Sequence, residues 1–176
     1  MARSPTQRAL RSTPMEIRTA TLEDAEALRA IYNREVVETT HTFDLVVRTV
    51  EEQRRWLADR AGAHAVLVAT RGPTVLGFGS LSSYRERPAY RTTVEDSVYV
   101  DPSHQGQGVG RGLLDTLVAT ATDHGFHTVI ARIADHNEAS VALHRACGFD
   151  LVGVEREVGR KFSRWIDVLV MQRILP

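Results

Sequence analysis

A glycine-rich turn between a strand and a helix is the segment of this chain best suited to hold a ligand. It lies within Val98–Leu114, which reads V-Y-V-D-P-S-H-Q-G-Q-G-V-G-R-G-L-L. A β-branched and aromatic run ends at Asp101, and an amphipathic pattern follows the glycines. The first N–H groups of a helix have no intrahelical partner, and the helix dipole adds partial positive charge there. The segment therefore predicts a phosphate-binding site at the start of a helix.

The spacing of the glycines distinguishes three phosphate-binding patterns. The dinucleotide pattern G-x-G-x-x-G fails from Gly106 and from Gly108, because its last position is then not glycine. The P-loop pattern needs a Lys, which this segment lacks. The third pattern, Q-x-x-G-x-G, is present as Gln105, Gly108 and Gly110. It resembles the acyl-CoA pyrophosphate loop of the GNAT superfamily of N-acetyltransferases; the alternative is an ordinary glycine-rich turn.

A second polar motif follows one strand later, in N-E-A-S-V-A-L-H-R-A-C-G-F. Asn137, Ser140 and His144 lie at i, i+3 and i+7 and so share one side of a helix. Taken singly, Asn137 and Ser140 are helix caps and His144 is a partly buried histidine. As a set, N-x-x-S-x-x-L-H-x-x-x-G-F resembles the second cofactor motif of the same superfamily. Histidine at this place, with T-V-E-D-S-V-Y-V-D upstream, is similar to the phosphinothricin and methionine sulfoximine acetyltransferase subfamily.

Further segments extend this resemblance over roughly residues 15–175. They are Tyr32-Asn33, Thr40–Phe43, Arg87–Tyr90 and Gly159–Val168. The resemblance implies acetyl-CoA as the donor, with its pyrophosphate on the turn and its pantetheine beside the strand that ends at Val100. The candidate cofactor-binding residues are Val98, Val100, Gln105, Gly106, Gln107, Gly108, Val109, Gly110, Arg111, Asn137 and Ser140. No metal site is expected.

The acceptor implied by the resemblance is an amine, which needs a base because an ammonium group cannot attack a thioester. Glu95 is the candidate base, since a charged residue in mid-strand is costly unless it faces a polar cavity. The alternative for Glu95 is an exposed strand carboxylate. Asp96 points to the opposite face and is the second candidate. His144 is the candidate group that protonates the leaving thiolate or relays protons, whereas Cys147 is interpreted as a packing residue.

The acceptor pocket is predicted from residues before the Glu95 strand and from the segments that match the subfamily. The subfamily acts on small amino-acid-like molecules, so a carboxylate has to be held, and a guanidinium group does this with two parallel hydrogen bonds. For each basic residue the alternative is a solvated surface charge. The candidate substrate-binding residues are Arg85, Arg87, Tyr90, Phe43, Tyr32 and Lys161.

Hydrophobic periodicity predicts the element order βαα, βββ, αβ, αββ. The predicted strands are Glu16–Thr19, Ala65–Thr70, Val75–Leu81, Thr92–Val100, Thr128–Ala134, Leu151–Glu157 and Trp165–Ile174. Helices are predicted from Thr21, with Leu22, Ala25, Leu28 and Ile31 on the apolar face, from Thr49 to near Gly62, from the glycine turn to Gly125, and from Asn137 to Gly148. The fold class is therefore α/β or α+β, a mixed sheet with helices on both faces. The resemblance implies that this sheet is mostly antiparallel.

Composition limits the class of protein. The 176 residues suit a single domain, predicted as residues 15–176, with 1–14 as a disordered extension. Equal numbers of basic and acidic residues give no electrostatic argument for nucleic acid or a membrane as the partner. The one cysteine excludes an internal disulfide and is compatible with a cytoplasmic location.

These observations together predict an enzyme that transfers acetyl from acetyl-CoA to the amino group of a small amino-acid-like acceptor. The acceptor is predicted to be of the phosphinothricin or methionine sulfoximine type, and the amine attacks directly in a ternary complex. The alternatives are a protein or peptide N-terminal acetyltransferase and a non-catalytic acyl-CoA-binding module. The resemblance also implies a homodimer.

Overall fold

The structure, a computed structural model, describes residues 13–176. This part of the chain contains seven strands and four α-helices. The strands are β1 (Glu16–Thr19), β2 (Val66–Arg71), β3 (Thr74–Ser83), β4 (Thr93–Val100), β5 (Thr128–Ala134), β6 (Asp150–Lys161) and β7 (Arg164–Ile174). The helices are α1 (Ala25–Glu38), α2 (Val50–Ala58), α3 (Val109–Asp123) and α4 (Glu138–Ala146). The predicted order of elements is confirmed.

The strands form one mixed sheet in the order β1-β2-β3-β4-β5-β7-β6. Every neighbouring pair is antiparallel except β4 and β5, which are parallel. Helices α1 and α2 cover one face, where Leu28, Val36 and Leu57 pack with Phe78. Helices α3 and α4 lie against the other face, where Leu113 packs with strand residues. The predicted fold class, a mostly antiparallel mixed sheet with helices on both faces, is confirmed.

The parallel pair β4 and β5 is the irregular part of the sheet. Its residue pairing covers Thr93 with Thr128, Val94 with Val129, and Glu95 with Ile130, and it stops there. Both strands continue beyond this point, to Val100 and to Ala134. The two strands therefore separate, and their main-chain groups face a gap that opens from Glu95 toward the glycine-rich turn.

Local signals in the sequence explain where the helices begin and end. Thr49 caps α2 with its hydroxyl on the Glu52 amide, and the Glu52 carboxylate returns to the Thr49 amide, so the predicted capping box is present. Helix α3 ends before Gly125, which has φ of +74° and lets the Phe126 amide bond back to the Ala121 carbonyl at 3.0 Å.

Three details of the predicted elements are wrong. Helix α2 ends at Ala58 rather than near Gly62, because a separate 3-10 turn occupies Gly62–His64. Leu22 lies in a 3-10 turn before α1 and is 52% exposed, so it is not part of the apolar face. Strand β6 runs on to Lys161, because a bulge near Glu157, which has positive φ, interrupts the alternation without ending the strand. Most of the predicted extension, residues 1–12, lies outside the described residues.

Candidate active site

The glycine-rich turn places unpaired main-chain N–H groups at one end of the β4–β5 gap. Gly108 is the N-cap of α3, with φ of +81°, a conformation that an L-residue adopts only with strain. The first intrahelical bond of α3 runs from the Gly112 amide to the Gly108 carbonyl at 3.0 Å. The amides of Val109, Gly110 and Arg111 precede it and are left for another acceptor. This arrangement suits a diphosphate group.

Gly110 lets helix α4 come close to the start of α3. A β-carbon built at Gly110 would lie 3.2 Å from the Leu143 side chain, tighter than most real contacts. Asn137 is the N-cap of helix α4, and its Oδ1 accepts from the Ser140 amide at 3.1 Å. Asn137 therefore caps the helix, and Asn137 and Ser140 also line the cavity described next.

A cavity of about 660 Å³ follows the gap between β4 and β5 and reaches both faces of the sheet. This volume lies in the range of small-molecule and cofactor sites. The part of its lining called here the glycine side comprises Val98, Val100, Gln105, Gly106, Gly108, Val109, Gly110, Arg111, Asn137, Ser140, Leu143 and His144. The part called the α1 side comprises Glu35, His41, Thr42, Phe43, Glu95 and Arg132.

The predicted cofactor-binding residues converge, with one exception. All except Gln107 line the cavity. The side-chain carbonyl of Gln107 instead accepts from the Arg71 guanidinium at 3.2 Å, which ties the turn to the end of β2.

Glu95 lies where the pairing of β4 with β5 ends, on the α1 side. Burial raises the pKa of the Glu95 carboxyl, the positive charge of Arg132 partly opposes that rise, and the negative charge of Asp96 adds to it. Arg132 is itself paired with Glu155. A carboxylate with a raised pKa is a stronger base than a solvated one, so Glu95 is suited to accept a proton inside the cavity.

His144 is buried on the opposite face of the sheet and contacts Asp96. Its Nε2 lies 3.0 Å from Asp96 Oδ2, and its Nδ1 lies 2.7 Å from the Ser140 carbonyl oxygen. Burial alone would lower the pKa of His144, but the hydrogen bond and charge of Asp96 outweigh burial and the pKa is raised. Sequence reasoning missed this partner, although alternation along β4 had already placed Asp96 on the face away from Glu95.

The α1 side contains a second buried polar pair that the sequence analysis did not identify. Glu35 is buried, and its Oε2 lies 2.8 Å from the Thr39 hydroxyl and 3.0 Å from His41 Nδ1. Burial opposes ionisation of Glu35, but these hydrogen bonds outweigh it and the pKa of Glu35 is lowered. A carboxylate in line with the apolar residues Leu28 and Ile31 of α1 was the signal available in the sequence.

Two predicted acceptor-binding residues instead support the loop after α1. Lys161 is buried, and its ammonium group donates to the carbonyl oxygen of Thr42 at 2.8 Å and of Glu35 at 3.3 Å. Tyr32 is buried, and its hydroxyl donates to Asp44 at 2.6 Å. Neither lines the cavity, since each is directed at the loop that carries Phe43.

Of the remaining predicted acceptor-binding residues, one lines the cavity and three do not. Phe43 lines the α1 side and is 40% exposed. Arg85, Arg87 and Tyr90 do not line the cavity. The Arg85 guanidinium lies 4.9 Å above the Tyr84 ring and 5.6 Å above the Tyr90 ring, and Arg87 precedes a 3-10 turn. Cys147 is buried in the core with a pKa raised to about 11 by burial and by Asp115, so its interpretation as a packing residue is confirmed.

A family model described as an acetyltransferase (GNAT) domain matches residues 17–170. The chain belongs to the GNAT acetyltransferases. This GNAT chain is 41% identical over 165 residues to a phosphinothricin N-acetyltransferase of Streptomyces coelicolor, covering 92% of this chain and 96% of the relative. It is 39% identical over 161 residues to an L-methionine sulfoximine/L-methionine sulfone acetyltransferase of Salmonella typhimurium, covering 90% and 93%.

A solved GNAT structure shares the fold described above. It is a phosphinothricin acetyltransferase from Sinorhizobium meliloti in complex with acetyl-CoA, with a TM-score of 0.87 and 35% identity, covering 92% of this chain and 88% of that one. The protein is thus an acetyl-CoA-dependent N-acetyltransferase, as the glycine turn and the second motif predicted. No helix in residues 13–176 has both the length and the apolar character that a membrane span requires.

Proposed function

We propose that this acetyltransferase transfers the acetyl group of acetyl-CoA to the α-amino group of a small amino-acid-like acceptor. The acceptor is of the phosphinothricin or methionine sulfoximine type, as the names of the relatives suggest. The observation that carries the proposal is one cavity that connects the amides of the glycine turn with the Glu95 carboxylate through the β4–β5 gap. Donor and acceptor can meet there without a covalent enzyme intermediate, since Cys147 is buried with a raised pKa.

The glycine side suits each part of the donor. The amides of Val109, Gly110 and Arg111 would receive the pyrophosphate, and the Arg111 side chain would add a charged contact. The main chain of β4 between Asp96 and Val100 is not paired with β5, so its free groups would pair with the pantetheine amides as with an added strand. The bound donor supplies a thioester carbonyl at the narrow end of the gap.

Glu95 is proposed as the base. The ammonium group of the acceptor gives one proton to Glu95, directly or through a water molecule, and the free amine attacks the thioester carbon. The C–N bond forms, the C–S bond breaks, and the sulfur leaves with its electron pair. The nitrogen then loses its second proton, which neutralises the thiolate. His144, on the glycine side, is proposed to act on the leaving sulfur.

The α1 side is proposed to bind the acceptor. Phe43 offers an apolar wall, and the Glu35–His41 pair offers a buried carboxylate and a ring that hydrogen-bond polar groups. Arg85 and Arg87 are proposed to approach the acceptor carboxylate from the loop that joins β3 to β4, the strand that carries Glu95. Lys161 and Tyr32 are proposed to act indirectly, by holding the loop that carries Phe43.

A homodimer and a cytoplasmic location complete the proposal. Strand β6 is the edge of the sheet, and it exposes Leu151, Val152 and Val154 at 48%, 60% and 44%. An exposed apolar edge strand favours association with a second copy. A Val152→Lys variant should be monomeric by light scattering, whereas Leu22→Lys, at an apolar residue that is 52% exposed, should keep the mass of the parent. The free thiol of Cys147 agrees with a reducing compartment.

The test of the proposed function measures thiol release from acetyl-CoA with phosphinothricin, methionine sulfoximine and a peptide with a free N-terminus. We expect turnover with at least one of the first two acceptors and none with the peptide. Turnover with the peptide alone would replace the proposal by a peptide N-terminal acetyltransferase. Calorimetry with coenzyme A is the control, and a protein that releases no heat with it would lack the donor site altogether.

A further inference from the structure

Two buried side chains meet beside the narrow end of the β4–β5 gap. Asp96 is the first residue of β4 after its pairing with β5 stops, and His144 reaches it from α4. The Asp96 and His144 side chains are only 1% and 5% exposed. Both residues line the cavity next to Val98 and Ser140. The pair therefore connects β4 with α4 at the point where the sheet opens.

The contacts of the ring indicate how many protons it carries. The Ser140 carbonyl oxygen, 2.7 Å from His144 Nδ1, only accepts, so Nδ1 carries a hydrogen. If Nε2 had no hydrogen, its lone pair would face a carboxylate oxygen at 3.0 Å, which is a repulsive contact. A proton therefore lies between Nε2 and Asp96. Because both ring nitrogens face acceptor oxygens, the geometry favours the doubly protonated ring, and the raised pKa of His144, which the hydrogen bond and charge of Asp96 maintain against burial, agrees with it.

The surroundings of the pair make His144 the main stabiliser of the Asp96 carboxylate. Within residues 13–176, Oδ1 of Asp96 is buried and has no hydrogen-bond partner, so few donors besides His144 stabilise the carboxylate. A buried carboxylate is costly unless it is hydrogen-bonded, so Asp96 depends on the His144 N–H for its stabilisation. Two further neighbours of the ring are not titratable: Ser140 on its own helix, and Phe149, whose ring centre lies 5.1 Å away. Asp96 is the charged group that faces His144.

We propose that Asp96 is a positioning residue for acetyl transfer, which holds His144 as an imidazolium with both N–H donors already engaged. His144 then provides a fixed positive charge beside the leaving sulfur and does not hand over its own proton. The electron pair of the broken C–S bond is stabilised on sulfur by this charge, and the proton that neutralises the thiolate comes from the attacking nitrogen. This inference rests on the proposed function and assigns Asp96 and His144 different tasks from Glu95.

The protonation state of the His144 ring is tested on the unmodified protein by NMR with ¹⁵N-labelled histidine. We expect both ring nitrogens of His144 to be protonated at neutral pH and to titrate at a higher pH than an exposed histidine. In Asp96→Asn this titration should move to lower pH. The matched control is Asp167→Asn on β7, which removes the carboxylate that lies 3.3 Å from the more exposed His136 and should leave the His144 signals unchanged. A singly protonated His144 ring in the parent at neutral pH would overturn the proposal, even if Asp96→Asn does not fold.

Kinetics then separate positioning from a purely structural role. Asp96→Asn should lower kcat by about 10²-fold, the size expected when one stabiliser of a developing negative charge is lost. KM for acetyl-CoA should stay near that of the parent, and Asp96→Asn/His144→Gln should be no slower than His144→Gln alone, because the two side chains act as one unit. If Asp96→Asn lowers the melting temperature but leaves kcat and the His144 ring signals unchanged, Asp96 has only a structural role. Absence of turnover in the parent would overturn the proposed function instead, and the ring titration would be unaffected.

Discussion

The glycine side and the α1 side of the cavity are built in different ways. The glycine side comes mainly from two continuous segments, and it presents main-chain N–H groups whose positions follow from the start of a helix and the end of a strand. The α1 side is assembled from side chains of α1, the loop after it, β4 and β5, which are far apart along the chain. Binding through the main chain leaves a local sequence pattern, whereas binding through distant side chains does not.

The largest expected difference between the two sides comes from Glu95→Gln. The amide cannot accept the proton of the ammonium group, so kcat should fall by about 10²- to 10⁴-fold. Affinity for coenzyme A, measured by calorimetry, should be unchanged because the glycine side is intact. The exposed Glu51→Gln on α2 serves as the matched substitution. Equal losses of kcat and of coenzyme A affinity would mean that the two sides do not function separately.

The pH dependence of kcat/KM in the unmodified protein tests the same role of Glu95. Glu95 has to be ionised to act as a base, so kcat/KM should fall as the pH decreases through its pKa. Because burial raises that pKa, the fall should begin above the range of an ordinary glutamate, which has a pKa of about 4.3. Glu95→Gln should lose this acid limb. If the limb persists in the variant, another group is the base.

A smaller effect, on the opposite side, is expected from Gly108→Ala. The φ of +81° costs an L-residue about 1–2 kcal/mol, which corresponds to about tenfold weaker coenzyme A binding if the turn relaxes to avoid the strain. The KM for the acceptor should not change. Gly72→Ala, at φ of +58° in the β2–β3 turn, introduces the same kind of strain far from the cavity and should reduce stability without reducing cofactor affinity.

The smallest effect is expected within the α1 side. Glu35→Gln and His41→Ala each remove one partner of a hydrogen bond, worth about 1 kcal/mol, so the KM for the acceptor should rise severalfold. The KM for acetyl-CoA should be that of the parent. Glu38→Gln, three residues along α1 and exposed, is the comparison. An unchanged acceptor KM in both variants would remove the Glu35–His41 pair from the acceptor site.

The sequence predicted the glycine side of the cavity better than the α1 side. Gln105, Gly108 and Gly110 identified the turn, because helix geometry alone decides where its amides point, and Asn137 and Ser140 lie on the predicted side of α4. Alternation along β4 separated Glu95 from Asp96, yet nothing local indicates that Asp96 meets His144 forty-eight positions later. Lys161 and Tyr32 were predicted to bind the acceptor, and the sequence does not indicate the contacts that the structure gives them. Their polar atoms bind the main chain and a neighbouring carboxylate, which only the tertiary fold brings together.

The short pairing between β4 and β5 has a consequence for the amount of folded enzyme in a cell. Only three residue pairs join these parallel strands, so the two halves of the sheet are weakly connected along this line until a ligand bridges the gap. A ligand that binds only the folded state raises its stability by about 2.7 kcal/mol at a concentration of 100 Kd. We therefore expect a saturating supply of the acetyl donor to protect the protein from unfolding and proteolysis, and starvation for the donor to shorten the lifetime of the chain.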